Sequence, residues 1–229
     1  MLRLLSLVLI IATFSARAEI EAEIPWGVEV VTGYRTDLIE RGFQLGENVI
    51  DVQVQSEFVF DDEWSLGFGA FHATASGVDE YEETRSFVEI MREFEQMSIG
   101  WHLGYRDVQS TIWRNGLETG PTFMYRVNQN ISAGIRYLYD AGASGSYAEA
   151  RCSWSHPLND KSFLSINSTA GYAIDYYGRD GLHDLSARLG WTYNLASNIS
   201  LTPFLGGSIG IHDDAADQIY SGIWFEVTF

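Results

Sequence analysis

Along most of this chain apolar and polar positions alternate with a period of two. At the C-terminus Ile223, Phe225, Val227 and Phe229 alternate with Gly222, Trp224, Glu226 and Thr228. Met97, Ile99, Trp101, Leu103 and Tyr105 alternate with Ser98, Gly100, His102, Gly104 and Arg106, and Ile131 to Asp140 repeats the pattern. A helix would spread the polar residues of these windows over every side. The period therefore predicts strands. Twelve follow, at about 27–35, 49–60, 63–74, 84–94, 97–107, 116–127, 130–140, 145–156, 163–175, 182–194, 199–211 and 219–229.

The connections alternate in length. Short turns fall at Asp61-Asp62, Glu95-Gln96, Asn128-Gln129, Asn159-Asp160 and Ser197-Asn198. Longer links span 36–48, 75–83, 108–115, 141–144, 176–181 and 212–218. Such alternation is expected of an outer-membrane barrel, whose two rims face different compartments. An even strand count places both chain ends at the short-turn rim. The apolar faces also carry aromatics near their ends (Trp64, Phe94, Tyr105, Tyr125, Tyr139, Trp154, Tyr193 and Phe229), as in the girdles of a membrane barrel. A secreted β-sandwich is the competing arrangement, but it needs its apolar faces to meet in a dry core. The expected fold is all-β: a transmembrane up-and-down antiparallel β-barrel of about twelve strands, closed so that every backbone group in lipid is paired.

The first 18 residues break this pattern. Arg3 precedes the mostly apolar run Leu4 to Phe14, and Ala16-Arg17-Ala18 matches the small-x-small cleavage signature. Residues 1–18 are read as a signal peptide and 19–229 as one barrel domain, with no plug domain ahead of the first strand.

Composition then narrows the function. Asp and Glu number 31 against 14 Lys and Arg, a net charge of −17, which argues against nucleic acid as a partner. The single cysteine, Cys152, rules out an internal disulfide and a cysteine-based zinc site, and it falls on an outward face with Ala148, Ala150 and Trp154. No cofactor is expected. Asp213, Asp214 and Asp217 offer oxygen ligands of the kind calcium takes, but solvated loop tips have the same composition, so no metal site is assigned. His72 and Ser76 are close enough in sequence to suggest a lipid hydrolase, but no accompanying motif is present, and the chain is read as a non-enzyme.

Two short segments carry a resemblance. Thr32-Gly33-Tyr34-Arg35 followed by Ile39-Glu40-Arg41-Gly42-Phe43, and then the hairpin Asp61-Asp62-Glu63-Trp64, resemble the start of TorF-type porin-like proteins. About 45 residues share that likeness, and the rest of the chain shares only the barrel pattern. The resemblance implies an outer-membrane barrel with a channel role and supplies no catalytic residues. The terminal Phe225, Val227 and Phe229 resemble the C-terminal assembly signal of Gram-negative outer-membrane barrels, which implies outer-membrane lipid and the barrel-assembly machinery as partners.

The inward faces hold the candidate lumen residues: Arg35, Glu57, Glu89, His102, Arg106, Glu118, Arg126, Arg136, Glu149, Arg151, Arg188 and Glu226. Counting across the connections sets Glu89 opposite His102, Arg106 opposite Glu118, and Arg136 opposite Glu149, with a possible slip of two residues. Opposed charges of this kind contribute about 0.2–1 kcal/mol per pair. His102 is expected to pair with Glu89. The arginines would select anions and the carboxylates cations. Inward glycines favour an open path, whereas Phe71, Met124, Phe204 and Trp224 could fill it. A porin-like channel for small hydrophilic solutes or ions is the first reading, and a closed structural or adhesive barrel whose loops bind a partner is the second.

Overall fold

The computed structural model describes residues 26–60, 63–76, 81–211 and 217–229. The proposed signal peptide lies outside the described residues, as do Asp61, Asp62, Asp213 and Asp214. Twelve strands form one closed antiparallel barrel in up-and-down order. They are β1 (Trp26–Glu40), β2 (Phe43–Val59), β3 (Trp64–Ala75), β4 (Glu82–Glu93), β5 (Met97–Gln109), β6 (Gly116–Arg126), β7 (Ile131–Asp140), β8 (Gly145–Asn159), β9 (Ser162–Tyr176), β10 (Arg179–Ala196), β11 (Ile199–Gly210) and β12 (Gln218–Thr228).

Closure is made by β1 against β12, from Glu29 opposite Thr228 to Arg35 opposite Gly222. The Val28 amide donates to the Phe229 carbonyl at 3.3 Å, and the Phe229 amide donates back at 2.8 Å. Both ends of the described barrel therefore lie at the short-turn rim. The outside is apolar: Trp101, Leu103, Ile135 and Leu205 are each more than half exposed. A belt of this extent is covered by lipid in a spanning barrel. Arg92 points outward too, but at the short-turn rim, where it pairs with Glu63 at 2.6 Å and lies over the Trp64 and Phe94 rings.

The alternation predicts a first strand ending at about 35 and a long link over 36–48. Instead β1 and β2 run on past their neighbours and meet in a two-residue turn at Arg41-Gly42, with Glu40 opposite Phe43. Both turn residues have positive φ, 52° and 72°. That is the twist-matched hairpin turn, which needs left-handed backbone at both positions. At Gly42 a Cβ would also stand 2.9 Å from the Asp184 Cβ. Gly42→Ala is expected to cost about 1–2 kcal/mol, the usual penalty for a side chain in left-handed backbone. Urea titration of the refolded barrel measures it, and an unchanged midpoint would show that the turn relaxes.

This hairpin folds inward. Leu38, Phe43, Leu45 and Val49 join Ala73, Tyr81, Trp113, Tyr147, Ala173 and Tyr176 in a buried cluster. The dry core of the protein therefore sits inside the barrel toward the long-link end, where the hairpin and the Trp113 link converge.

Candidate lumen site

Alternation along each strand dictates which side chains reach the interior. On β5 His102 and Arg106 are buried while Trp101, Leu103 and Tyr105 are exposed. On β7 Arg136, Leu138 and Asp140 share the inner face, and on β8 Tyr147, Glu149 and Arg151 do so.

The hairpin tip anchors on the opposite wall. The Arg41 guanidinium pairs with Glu118 on β6 at 2.5 Å and donates to the Tyr176 hydroxyl on β9 at 2.6 Å. Burial disfavours its charge, but Glu118, Tyr176 and Glu40 outweigh that and hold its pKa well above the ordinary value. Phe43 is surrounded by the rings of Trp113, Tyr176, Tyr177 and His183, all within 6.3 Å, and Arg179 lies 3.9 Å over its face.

Around the tip runs a charge network. Arg106 donates from Nε to Glu83 at 3.0 Å, from one terminal nitrogen to Asp140 at 2.9 Å, and from the other to Glu118 at 3.3 Å. The Trp113 ring lies 4.0 Å beneath its guanidinium carbon. Arg85 forks onto Glu40 and also reaches Glu83, at 2.7 Å. Each of these carboxylates is shared or forked, the geometry in which buried charge pairs are tolerated.

Two cavities flank the tip. The inner one, about 580 Å³, is bounded by Leu38 to Arg41 on the hairpin and by the barrel wall. The outer one, about 500 Å³, is bounded by Phe43, Tyr177, Arg179 and the long links.

Nine of the twelve sequence candidates line the inner cavity: Arg35, Glu89, His102, Arg106, Glu118, Arg136, Glu149, Arg151 and Arg188. Glu57 and Glu226 lie outside it, and Arg126 lines a smaller recess at the short-turn rim. Glu89 does stand opposite His102, and Arg136 opposite Glu149. The register across the Trp113 link is shifted by two residues: Arg106 stands opposite Gly116, and Glu118 opposite Gly104. Arg106 still reaches Glu118 diagonally, because a guanidinium spans the extra step.

Two pairings differ from expectation. His102 Nε2 lies 3.7 Å from Glu118 and so turns toward that carboxylate rather than Glu89. Glu149 accepts from Arg151 at 2.6 Å, two residues along its own strand, rather than from Arg136. Register places α-carbons, whereas long side chains choose among several partners. The sequence reading missed Glu40, Arg41, Glu83, Arg85 and Asp140. The first two fall in the link 36–48, where Gly42, the residue type that left-handed turn backbone favours, is a turn signal that period counting overlooks.

His72 and Ser76 take separate partners. His72 Nδ1 contacts the Thr84 hydroxyl at 3.0 Å, and Ser76 donates to the Asn48 carbonyl at 3.2 Å. Among the described residues no cluster of metal-ligating side chains occurs. Cys152 is exposed, on the outward-facing positions of β8. Phe225 and Phe229 are exposed as well.

No protein-family model matches this sequence, and no curated protein matches it. Solved structures do share its fold. The KdgM porin in complex with disordered oligogalacturonate superposes with a TM-score of 0.56 at 10% identity, covering 89% of this chain and 99% of that one. An outer membrane channel from Pseudomonas putida F1 gives 0.59 at 9% identity, covering 93% and 98%. The translocator domain of autotransporter NalP from Neisseria meningitidis gives 0.56 at 13% identity, covering 95% and 93%. At such identities the likeness is one of fold, and the fold of this chain is that of the twelve-stranded outer-membrane β-barrels.

Proposed function

We propose that the protein is an outer-membrane channel for passive diffusion of small hydrophilic solutes or ions. The observation that carries this is the inner cavity: about 580 Å³ inside a closed barrel, walled largely by charged and amide side chains. A lumen filled by side chains for support alone would leave no space of this size. Neighbours titled porin and channel have the same frame. The TorF-type resemblance supports the same reading at the level of family, and it falls on the inward hairpin itself. Export by residues 1–18 and recognition of Phe225, Val227 and Phe229 by the barrel-assembly machinery complete the proposal.

A second reading has one specific support. The hairpin lies across the interior between the two cavities, as in a closed barrel whose long links bind a partner. Single-channel recording separates the two. Refolded protein in a planar bilayer is expected to give steady ohmic steps, and Arg136→Glu is expected to shift the reversal potential in a salt gradient toward cation preference. Silence from verified folded barrels would reject the channel and favour the closed barrel.

A further inference from the structure

The unpaired groups of the inner cavity share one character. Arg35 Nε, Arg136 Nε and the Trp224 indole Nε1 are buried, lie in its lining, and make no hydrogen bond within the protein. All three are N–H donors that cannot accept. Arg85 Nε, 2.7 Å from Glu83 in an ion pair, makes no aligned hydrogen bond either, and His102 Nδ1, also unpartnered, can take either role. No carboxylate, amide or hydroxyl oxygen of this lining is in the same state. The buried, unpartnered atoms of the lining are therefore mostly donors, while Glu89, which attracts Arg136, also faces the cavity without an ion pair among the described residues.

The charges agree. At the long-link end, Arg41, Arg85 and Arg106 are committed to Glu40, Glu83, Glu118 and Asp140. Lower on the wall, Arg35 holds Asp51 at 2.5 Å and Arg151 holds Glu149. Arg188 makes no ion pair among the described residues, and the polar side chains that act on it are Tyr220, Arg35 and Arg151. It is held by rings instead, 4.3 Å over Trp224 and 5.7 Å over Phe204. Arg35 approaches the same indole from the β1 side, at 5.5 Å. Gly33 makes this possible, because a Cβ there would collide with the Trp224 ring. Stacking fixes the Arg188 plane and leaves its edge donors free, the arrangement that receives a planar carboxylate bidentately.

We propose that Arg188, with Arg35 and Trp224, forms a binding station for small organic carboxylates inside the barrel. This deepens the channel reading by naming its solute class. It also reverses what net charge suggests: a chain at −17 presents an anion site in its lumen.

The test is calorimetric titration of the refolded protein in detergent at low ionic strength with sodium succinate, and with glucose as a neutral probe. Folding is verified for every variant by the heat-dependent gel mobility of intact barrels. The parent is expected to bind succinate and not glucose. Arg188→Gln is expected to weaken succinate binding about ten-fold or more, the loss of charge-assisted hydrogen bonds. Arg92→Gln, on the outer face, is expected to bind as the parent does. If the glutamine variant fails to fold, Arg188→Lys serves: it keeps the charge, loses the fork, and is expected to bind more weakly than the parent. Absence of succinate binding by the parent, or parent-like binding by a folded Arg188 variant, would overturn the station. The channel reading is judged separately: a protein that binds but never conducts keeps the station and loses the channel, and one that conducts without binding does the reverse.

Discussion

Arg106→Met is expected to lower the stability of the barrel by about 3–5 kcal/mol, the usual cost of removing one partner from a buried ion network. Arg106 is 2% exposed, and its three carboxylate partners, Glu83, Asp140 and Glu118, are 0%, 1% and 7% exposed. Methionine retains the length and packing of the stem against Trp113, so the loss isolates the charge. Glu83 keeps Arg85 and Glu118 keeps Arg41, but Asp140 would be left with Arg41 at 3.9 Å and the Tyr176 hydroxyl. With Glu40, four carboxylates would then share two cations. Arg106→Lys is expected to recover part of the loss, because a single ammonium cannot serve three oxygens in a fixed fork. Urea unfolding followed by tryptophan fluorescence measures both variants. A change within the range of ordinary surface substitutions, about 0.5 kcal/mol, would show that water already enters the network.

The second large effect concerns passage rather than stability. Arg41→Ser combined with Phe43→Ser is expected to raise single-channel conductance several-fold and to increase current noise. These two side chains hold the hairpin tip: one by Glu118 and Tyr176, the other by the rings of Trp113, Tyr176, Tyr177 and His183. Without them the segment from Leu38 to Leu45 keeps its own ladder but loses its dock. The inner and outer cavities would then join. The barrel itself is expected to stay closed, because the hairpin tip projects beyond the β1–β12 ladder, which ends at Arg35 opposite Gly222. Conductance equal to the parent's would place the restriction elsewhere in the lumen.

Both expectations depend on residues of very different legibility. Glu118 and Arg106 were visible as inward charges on clean alternating strands. Arg41 was not, because nothing in a period-two count says that a hairpin overshoots its neighbours and bends inward. The Arg-Gly pair at its tip was noticed only as part of a resemblance. Its physical meaning is a turn with positive φ at both positions. Tyr81 and Trp113 sit in the long links 75–83 and 108–115, yet each is 2% exposed. They are large aromatics in links that fold over the mouth, and only the shape of that mouth tells them from interfacial residues.

The sequence by itself determined the strand number, the inward and outward face of each strand, and the placement of both described ends at one rim. These follow from local alternation, which needs no knowledge of distant residues. It also placed nine of its twelve candidates along the inner cavity, but not Glu40, Arg41, Glu83, Arg85 or Asp140, which carry much of the charge network. The tertiary structure decided which of those charges meet. Twelve curved strands bring β1 opposite β6 and β7, and side chains from opposite walls then compete for the same carboxylates. Glu118 takes Arg41 from the hairpin as well as Arg106 and His102 from the neighbouring strand, and Arg188 is left without a carboxylate among the described residues. Pairing across a lumen depends on barrel diameter and stagger, which are properties of the closed sheet and are written in no single strand.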